Sequence, residues 1–252
     1  MMTMNGLELV IFGIAGFVMS ILSGIAGAGG GFIMTPLAIF LGLLPAQAVA
    51  TGKLNGLSVT IGSLSGMKGG HGKISKARVM PVMILALLVG LFVPFIIKSL
   101  DDEVYRIVLG IIILLMIPVV IVKKVGIKPH KPKVWQKYTG GGLLTIALFL
   151  QGVFSGGLGT LVNLVLMDML GMTAIEANVT KRWSQVILNT TIIIGVLGTG
   201  LIVWKVAAVG VFSNLIGSYI GGSMAVNKGN DFIMRVMVVL MFISAVALII
   251  GA

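Results

Sequence analysis

The sequence predicts an all-α, polytopic membrane protein. It is made of two inverted repeats of five membrane segments, each opening with a glycine-broken re-entrant helical hairpin. Three observations lead there. Of 252 residues, 58% are hydrophobic and only 10% are charged, against about 25% charged in a soluble domain. That much apolar surface does not fit inside one water-soluble core. The apolar runs are long and continuous, which excludes the dyad alternation of a transmembrane barrel. Finally, residues 23–60 recur at 151–189. S-G-I-A-G-A-G-G-G-F-I lies over Q-G-V-F-S-G-G-L-G-T-L-V, so that Gly24, Gly29 and Gly31 fall on Gly152, Gly157 and Gly159. After a slip of one residue, Gly42 and Thr51 fall on Gly171 and Thr180.

The apolar segments run at 7–26, 32–44, 48–67, 79–99 and 104–122, then at 139–155, 160–170, 173–197, 201–225 and 232–251. A full helical span takes about 20 apolar residues. Segments 32–44 and 160–170 fall short, and each directly follows a glycine cluster. Each half is therefore expected to open with a helix that enters the membrane, breaks at glycine and returns as a short helix.

Charge sets the expected orientation. Lys68, Lys73, Lys76 and Arg78 share one loop, and Lys123, Lys124, Lys128, Lys131, Lys133 and Lys137 share another. Lys/Arg excess in short loops marks the cytoplasmic side. Asp101, Asp102 and Glu103 then lie outside. Each half counts five segments, and two similar halves with an odd count point in opposite directions. The expected organisation is a first repeat at 1–122, a basic cytoplasmic linker at 123–138 and a second repeat at 139–252. The whole is a multi-pass protein of the cytoplasmic (inner) membrane, with loops 68–78 and 123–138 on the cytoplasmic side. The linker holds two of the seven prolines and no apolar period. It reads as a topology signal whose charges lie within reach of anionic membrane lipids.

Several function classes drop out. Cysteine is absent, and His71 and His130 stand alone in basic loops, so no metal site is expected. No Walker, nucleophile-elbow or HExxH pattern appears, so no cofactor and no enzyme activity are expected. The net charge of +11 is accounted for by the loops. It lacks the interleaved aromatics and fold motif of a nucleic-acid binder. The sixteen methionines are scattered, as packing residues are.

The candidate site starts from the glycine breaks. Gly27, Gly29, Gly30 and Gly31 precede one short helix, and Gly156, Gly157 and Gly159 precede the other. A helix start carries unpaired N–H groups and partial positive charge, and glycine lets a small anion approach that backbone. Matched breaks in two halves point to the binding site of a secondary transporter. Helix packing through small residues is the competing account. Lys53, Lys181 and Arg182 lie inside apolar segments, where a charge costs about 2.5–3.5 kcal/mol on insertion scales. Thr51, Asn55 and Thr180 supply hydrogen-bonding groups nearby. Two accounts stand for the three cations: walls of an anion path, or side chains that snorkel to the interface. Asp168 and Glu176 flank a turn expected at the cytoplasmic face, where carboxylates are ordinary.

The stretch G-A-G-G-G-F-I-M-T-P-L at 27–37, with G-L-L-P-A-Q-A-V-A-T-G-K-L-N-G at 42–56, resembles the TauE/SafE family of sulfite and organosulfonate exporters. A-N-V-T-K at 177–181 is similar to that family's second repeat, although Arg182 and Trp183 that follow are bulky. The resemblance covers essentially the whole chain. It implies export of a small sulfur oxyanion or sulfonate across the cytoplasmic membrane. It also implies a site at Gly29, Gly30 and Gly31 with Thr51 and Lys53, and at Gly157 and Gly159 with Thr180 and Lys181. The expected partners are a small anionic substrate and membrane lipids; a homo-oligomer is left open. An anion channel and a non-transporting membrane assembly or lipid-binding component are the alternatives to alternating access.

Overall fold

The computed structural model describes residues 4–27, 31–68, 76–99, 132–154 and 158–251, with side chains left undescribed at 31–33 and 237–251. Eight helices are described: α1 (Gly6–Ala26), α2 (Gly31–Phe40), α3 (Pro45–Gly66), α4 (Lys76–Lys98), α5 (Val134–Phe154), α6 (Gly159–Asp168), α7 (Ala174–Val196) and α8 (Trp204–Gly251). The span expected at 104–122, Asp101, Asp102, Glu103, both histidines and most of the linker lie outside the described residues. The break expected between the segments 201–225 and 232–251 is present but is narrower than a loop: α8 is two helices that meet at Gly229, with φ 78°. A single left-handed glycine redirects the chain without a loop.

Local chemistry explains the boundaries. Asn5 caps α1: its side-chain oxygen accepts from Glu8 N at 2.9 Å, and Glu8 returns an acceptor to Asn5 N at 2.7 Å. Thr173 and Glu176 make the same reciprocal cap on α7, at 3.2 and 3.0 Å. This places one of the two flagged acids in a helix start, consistent with its ordinary role there. α1 stops where Gly27 takes φ 65° and its N–H returns to Ser23 O at 2.8 Å. The turns after both short helices use the repeated glycine: Gly42 has φ 97° and Gly171 has φ 68°. That left-handed conformation carries a steric penalty for any side chain.

The short helices are half-spans that fold back. α2 and α6 have 10 residues each, about 15 Å at 1.5 Å per residue, half of a core about 30 Å thick. Met4 at the start of α1 and Leu43 after α2 share one apolar cluster with Phe12, Met34 and Ala38. The first hairpin therefore returns to the level where it entered. In the second, a methyl group at Gly140 near the start of α5 would sit 2.8 Å from Met169 Cβ, just past α6. Each short helix thus ends near the level at which the helix before it began.

Three helices pack backbone to backbone. Gly62 and Gly66 of α3 lie against the Leu215 and Tyr219 carbonyls of α8, and Gly222 of α8 lies against Ser63. Gly24 of α1 meets Gly221 of α8, where an added Cβ would sit 2.9 Å from Gly221 Cα. Spacing by four places Gly62 and Gly66 on one helix face. Between helices in lipid, where the hydrophobic drive is absent, such close approach supplies dispersion contacts. α4 packs on α7 through Gly90 against Thr191 and Pro94 against Gly195.

Among the described residues, three helices are long and apolar enough to cross a membrane by themselves: Gly6–Ala26, Lys76–Lys98 and Trp204–Val236, with mean hydropathies of 2.3, 2.7 and 1.3. α3 and α7 are as long but too polar. They lie inside the bundle and carry its polar centre.

Candidate functional site

The polar centre forms where the hairpin ends of the two halves meet. Asn163 of α6 donates to Ala26 O at 3.2 Å, and Asn178 of α7 donates to Ile25 O at 3.0 Å. Lys181 Nζ donates to Gly27 O. Arg182 Nη2 donates to Ser23 O at 3.0 Å and Gly24 O at 2.7 Å, while its Nη1 donates to Ser63 Oγ. In the other direction, Lys53 of α3 donates to Gln151 O near the end of α5 at 3.1 Å.

These contacts correspond across the sequence repeat. Ser23 and Gln151 each precede the matched glycines Gly24 and Gly152. The main-chain oxygen of each accepts from a cation carried by the helix after the other half's hairpin. The physical reason is the helix dipole. The carbonyls at the ends of α1 and α5 keep acceptor capacity that no further helical N–H donor fills, and they carry partial negative charge. A buried cation complements them where water is excluded.

Snorkelling is ruled out for all three cations. Lys53, Lys181 and Arg182 are 2%, 1% and 2% exposed, and their head groups point to interior carbonyls rather than to an interface. Among the described residues, none of the three contacts a carboxylate. The ion pair that is formed joins Arg78 and Glu176 at 3.6 Å, away from this centre. Glu176 therefore does not neutralise Lys181 or Arg182. Arg182 also keeps its Nε–H without an acceptor.

A cavity of about 60 Å³ opens beside Lys181 and Arg182. Its polar lining includes Ser20 and Ser23 from α1, Thr35 from α2, Thr51 and Asn55 from α3, and Gln185 from α7. Phe12, Met34, Ala38 and Val206 complete it with apolar walls. Thr51 Oγ1 accepts from Val203 N at 3.0 Å, tying α3 to the start of α8. Asn55 lines the cavity and its Oδ1 has no donor.

The expected residues separate into three groups. Thr51, Asn55, Lys181 and Arg182 meet at the cavity. Gly27, Gly159, Lys53 and Thr180 lie in the adjoining buried centre without lining it; a methyl at Gly159 would overlap Lys181 Nζ, and Thr180 is fully buried. Gly31 begins α2, and Gly29, Gly30, Gly156 and Gly157 lie outside the described residues. Sequence reasoning missed Ser20, Ser23, Thr35, Gln185 and Asn214, which also line the cavity. The signal was present as hydroxyl and amide side chains within otherwise apolar helices, which tend to face the bundle interior.

Comparison with known proteins identifies the family. The family model described as sulfite exporter TauE/SafE matches residues 12–248. The chain is 27% identical over 239 residues to a "Probable membrane transporter protein" of Haemophilus influenzae, covering 93% of this chain and 91% of that one. It is 25% identical over 252 residues to "Probable membrane transporter protein ORF9" of a Sinorhizobium species, covering 94% and 90%. No solved structure matches. With the match spanning nearly its whole length, the chain belongs to the TauE/SafE family of membrane transporters.

Proposed function

We propose that this chain is a secondary transporter that exports a small anion, sulfite or an organosulfonate, across the cytoplasmic membrane by alternating access. One observation carries the anion: three buried cations with no carboxylate partner among the described residues, two of them lining a cavity. Leaving a charge unpaired in a dry interior costs several kcal/mol. Helix-end carbonyls offset part of that cost for each cation. An anion in the cavity offsets more, and the unused Arg182 Nε–H is a donor suited to it. The sulfur oxyanion comes from the family description.

The mechanism follows from what the cations hold. Lys181 and Arg182 hold the end of α1, and Lys53 holds the end of α5. These bonds tie the two hairpins together. An entering anion competes with the carbonyls for the same N–H groups and loosens the tie. One half then rocks against the other and opens the cavity to the opposite face, as in transporters built on discontinuous helices. The inverted orientation of the halves places both hairpin tips near the bilayer midplane. An inside-negative potential favours anion exit by about 2.3 kcal/mol per charge per 100 mV. Export then needs no dedicated acid in the site.

The test is sulfite efflux from liposomes containing the purified protein. Saturable efflux that accelerates with inside-negative potential is expected, with Lys181→Gln reduced at least about tenfold, as for loss of one charge-assisted hydrogen bond of about 1.5–3 kcal/mol. Flux that never saturates indicates a channel. No flux of any anion from well-folded protein refutes transport.

A further inference from the structure

A second cavity, of about 490 Å³, lies between the first turns of α4 and α5. It shares no lining residue with the polar centre. Its floor is apolar, with Val82, Leu85, Leu144, Leu170 and Met172, and Arg78 and Lys137 stand among its lining. Both basic residues are exposed. Arg78 lies 3.6 Å from Glu176. A guanidinium presents five N–H donors in a fork, so one carboxylate at that distance leaves most of them free. Arg78, Lys137 and Glu176 together carry a net charge of +1.

The level of this groove is marked independently. Trp135 and Tyr138, on the first turns of α5, are 56% and 81% exposed. Exposed Trp and Tyr beside Lys and Arg belong at the headgroup level of a bilayer. The groove therefore begins among headgroups and its floor lies at acyl depth. A free phosphate would occupy only the basic part and leave the apolar floor unused. A zwitterionic lipid would bring no net charge to the cations.

We propose that this groove binds one anionic phospholipid, with its phosphate at Arg78 and Lys137 and the first part of an acyl chain along Val82, Leu85 and Leu144. The occupant bridges α4 and α5 and rests on the turn at Leu170 and Met172. That turn leads into the Thr173–Glu176 cap of α7, the helix that carries Lys181 and Arg182. Lipid binding thereby steadies the helix that presents the buried cations.

Native mass spectrometry of protein released from detergent micelles doped with phosphatidylglycerol or phosphatidylcholine tests the proposal. The wild type is expected to retain one phosphatidylglycerol in preference to phosphatidylcholine. Arg78→Gln with Lys137→Gln is expected to weaken retention about tenfold or more, since each basic residue near an anionic lipid contributes on the order of 1 kcal/mol. Lys76→Gln with Lys133→Gln removes two equally exposed charges outside the groove and is expected to change nothing. Gly141→Leu supplies the steric arm. A Cβ at Gly141 meets nothing within 4 Å, so a larger side chain enters the groove without disturbing the helix. It is expected to expel the lipid while both charges remain. Equal losses in the two charge variants, equal retention of the two lipids, or full retention in Gly141→Leu would each overturn the proposal. So would competition by millimolar inorganic phosphate that matches competition by the lipid.

Discussion

Arg182 concentrates the chemistry of the site. Its guanidinium reaches two carbonyls at the end of α1 and Ser63 of α3, so it binds the first hairpin to two helices at once. Replacing it with methionine removes the side-chain donor to Gly24 O and leaves Ser23 O with the Gly27 N–H alone, at about 1–3 kcal/mol for a buried group short of a partner. A fall in melting temperature together with lost sulfite binding is the expected result. Arg182→Lys keeps the charge but loses the fork, and is expected to recover stability only in part. An Arg182→Met protein that melts like the wild type would show that these bonds hold little. Gly159→Ala is a second probe, because the added methyl overlaps Lys181 Nζ. Displacing Lys181 from Gly27 is expected to raise the KM for the anion more than it lowers stability. An unchanged KM would mean that Lys181 does not touch the substrate path.

The three cations were legible in the sequence because a Lys or Arg inside an apolar run stands out. Their roles were not. The two accounts differ only in where a long side chain ends, and no periodicity carries that information. Ser23 shows the limit from the other side. It contributes through its main-chain oxygen, which every residue has, and only the fold reveals which carbonyl faces a guanidinium.

Among the elements, the half-helices were the most legible. Ten-residue helices after glycine breaks follow from run length alone, and α2 and α6 begin at Gly31 and Gly159, each one residue before the expected start. The α3–α8 seam was less so. Its glycines could be counted, but their partner lies more than a hundred residues away. The seam makes a plain prediction: Gly66→Val destabilises the protein by roughly 1–3 kcal/mol or more, the range for overpacking, because even a methyl there overlaps Tyr219 O. Gly142→Val, at a glycine with nothing within 4 Å, is the control. Thermal unfolding in detergent reads the difference, and equal effects would contradict the packing account. The break in α8 was legible in place but not in form. Lys228, Asn230 and Asp231 suggest a loop, but Gly229 alone makes the turn while Asn230 Oδ1 accepts from Ile175 N at 2.9 Å. A tertiary contact used the polar residues that had signalled a loop.

At the scale of the whole molecule, the account rests on halves of opposite orientation. A chain free of cysteine makes this directly testable. Leu44 follows the first hairpin and Lys133 precedes the second, and both are exposed. Cysteines placed there are expected to label from outside and from the cytoplasm, respectively. Labelling from one side would remove the inverted arrangement and, with it, the meeting of two hairpin tips at one depth. The reciprocal reach of Lys53 and Arg182 to matched main-chain oxygens is what such a pseudo-twofold arrangement produces.

The buried cations make the anion site the claim on which the rest depends. Calorimetric titration of sulfite into purified wild type, Lys181→Gln and Arg182→Gln measures it without transport. Saturable binding by the wild type, weakened at least about tenfold in each variant as for a lost charged hydrogen bond, is the predicted result. Identical affinities in all three proteins would contradict it.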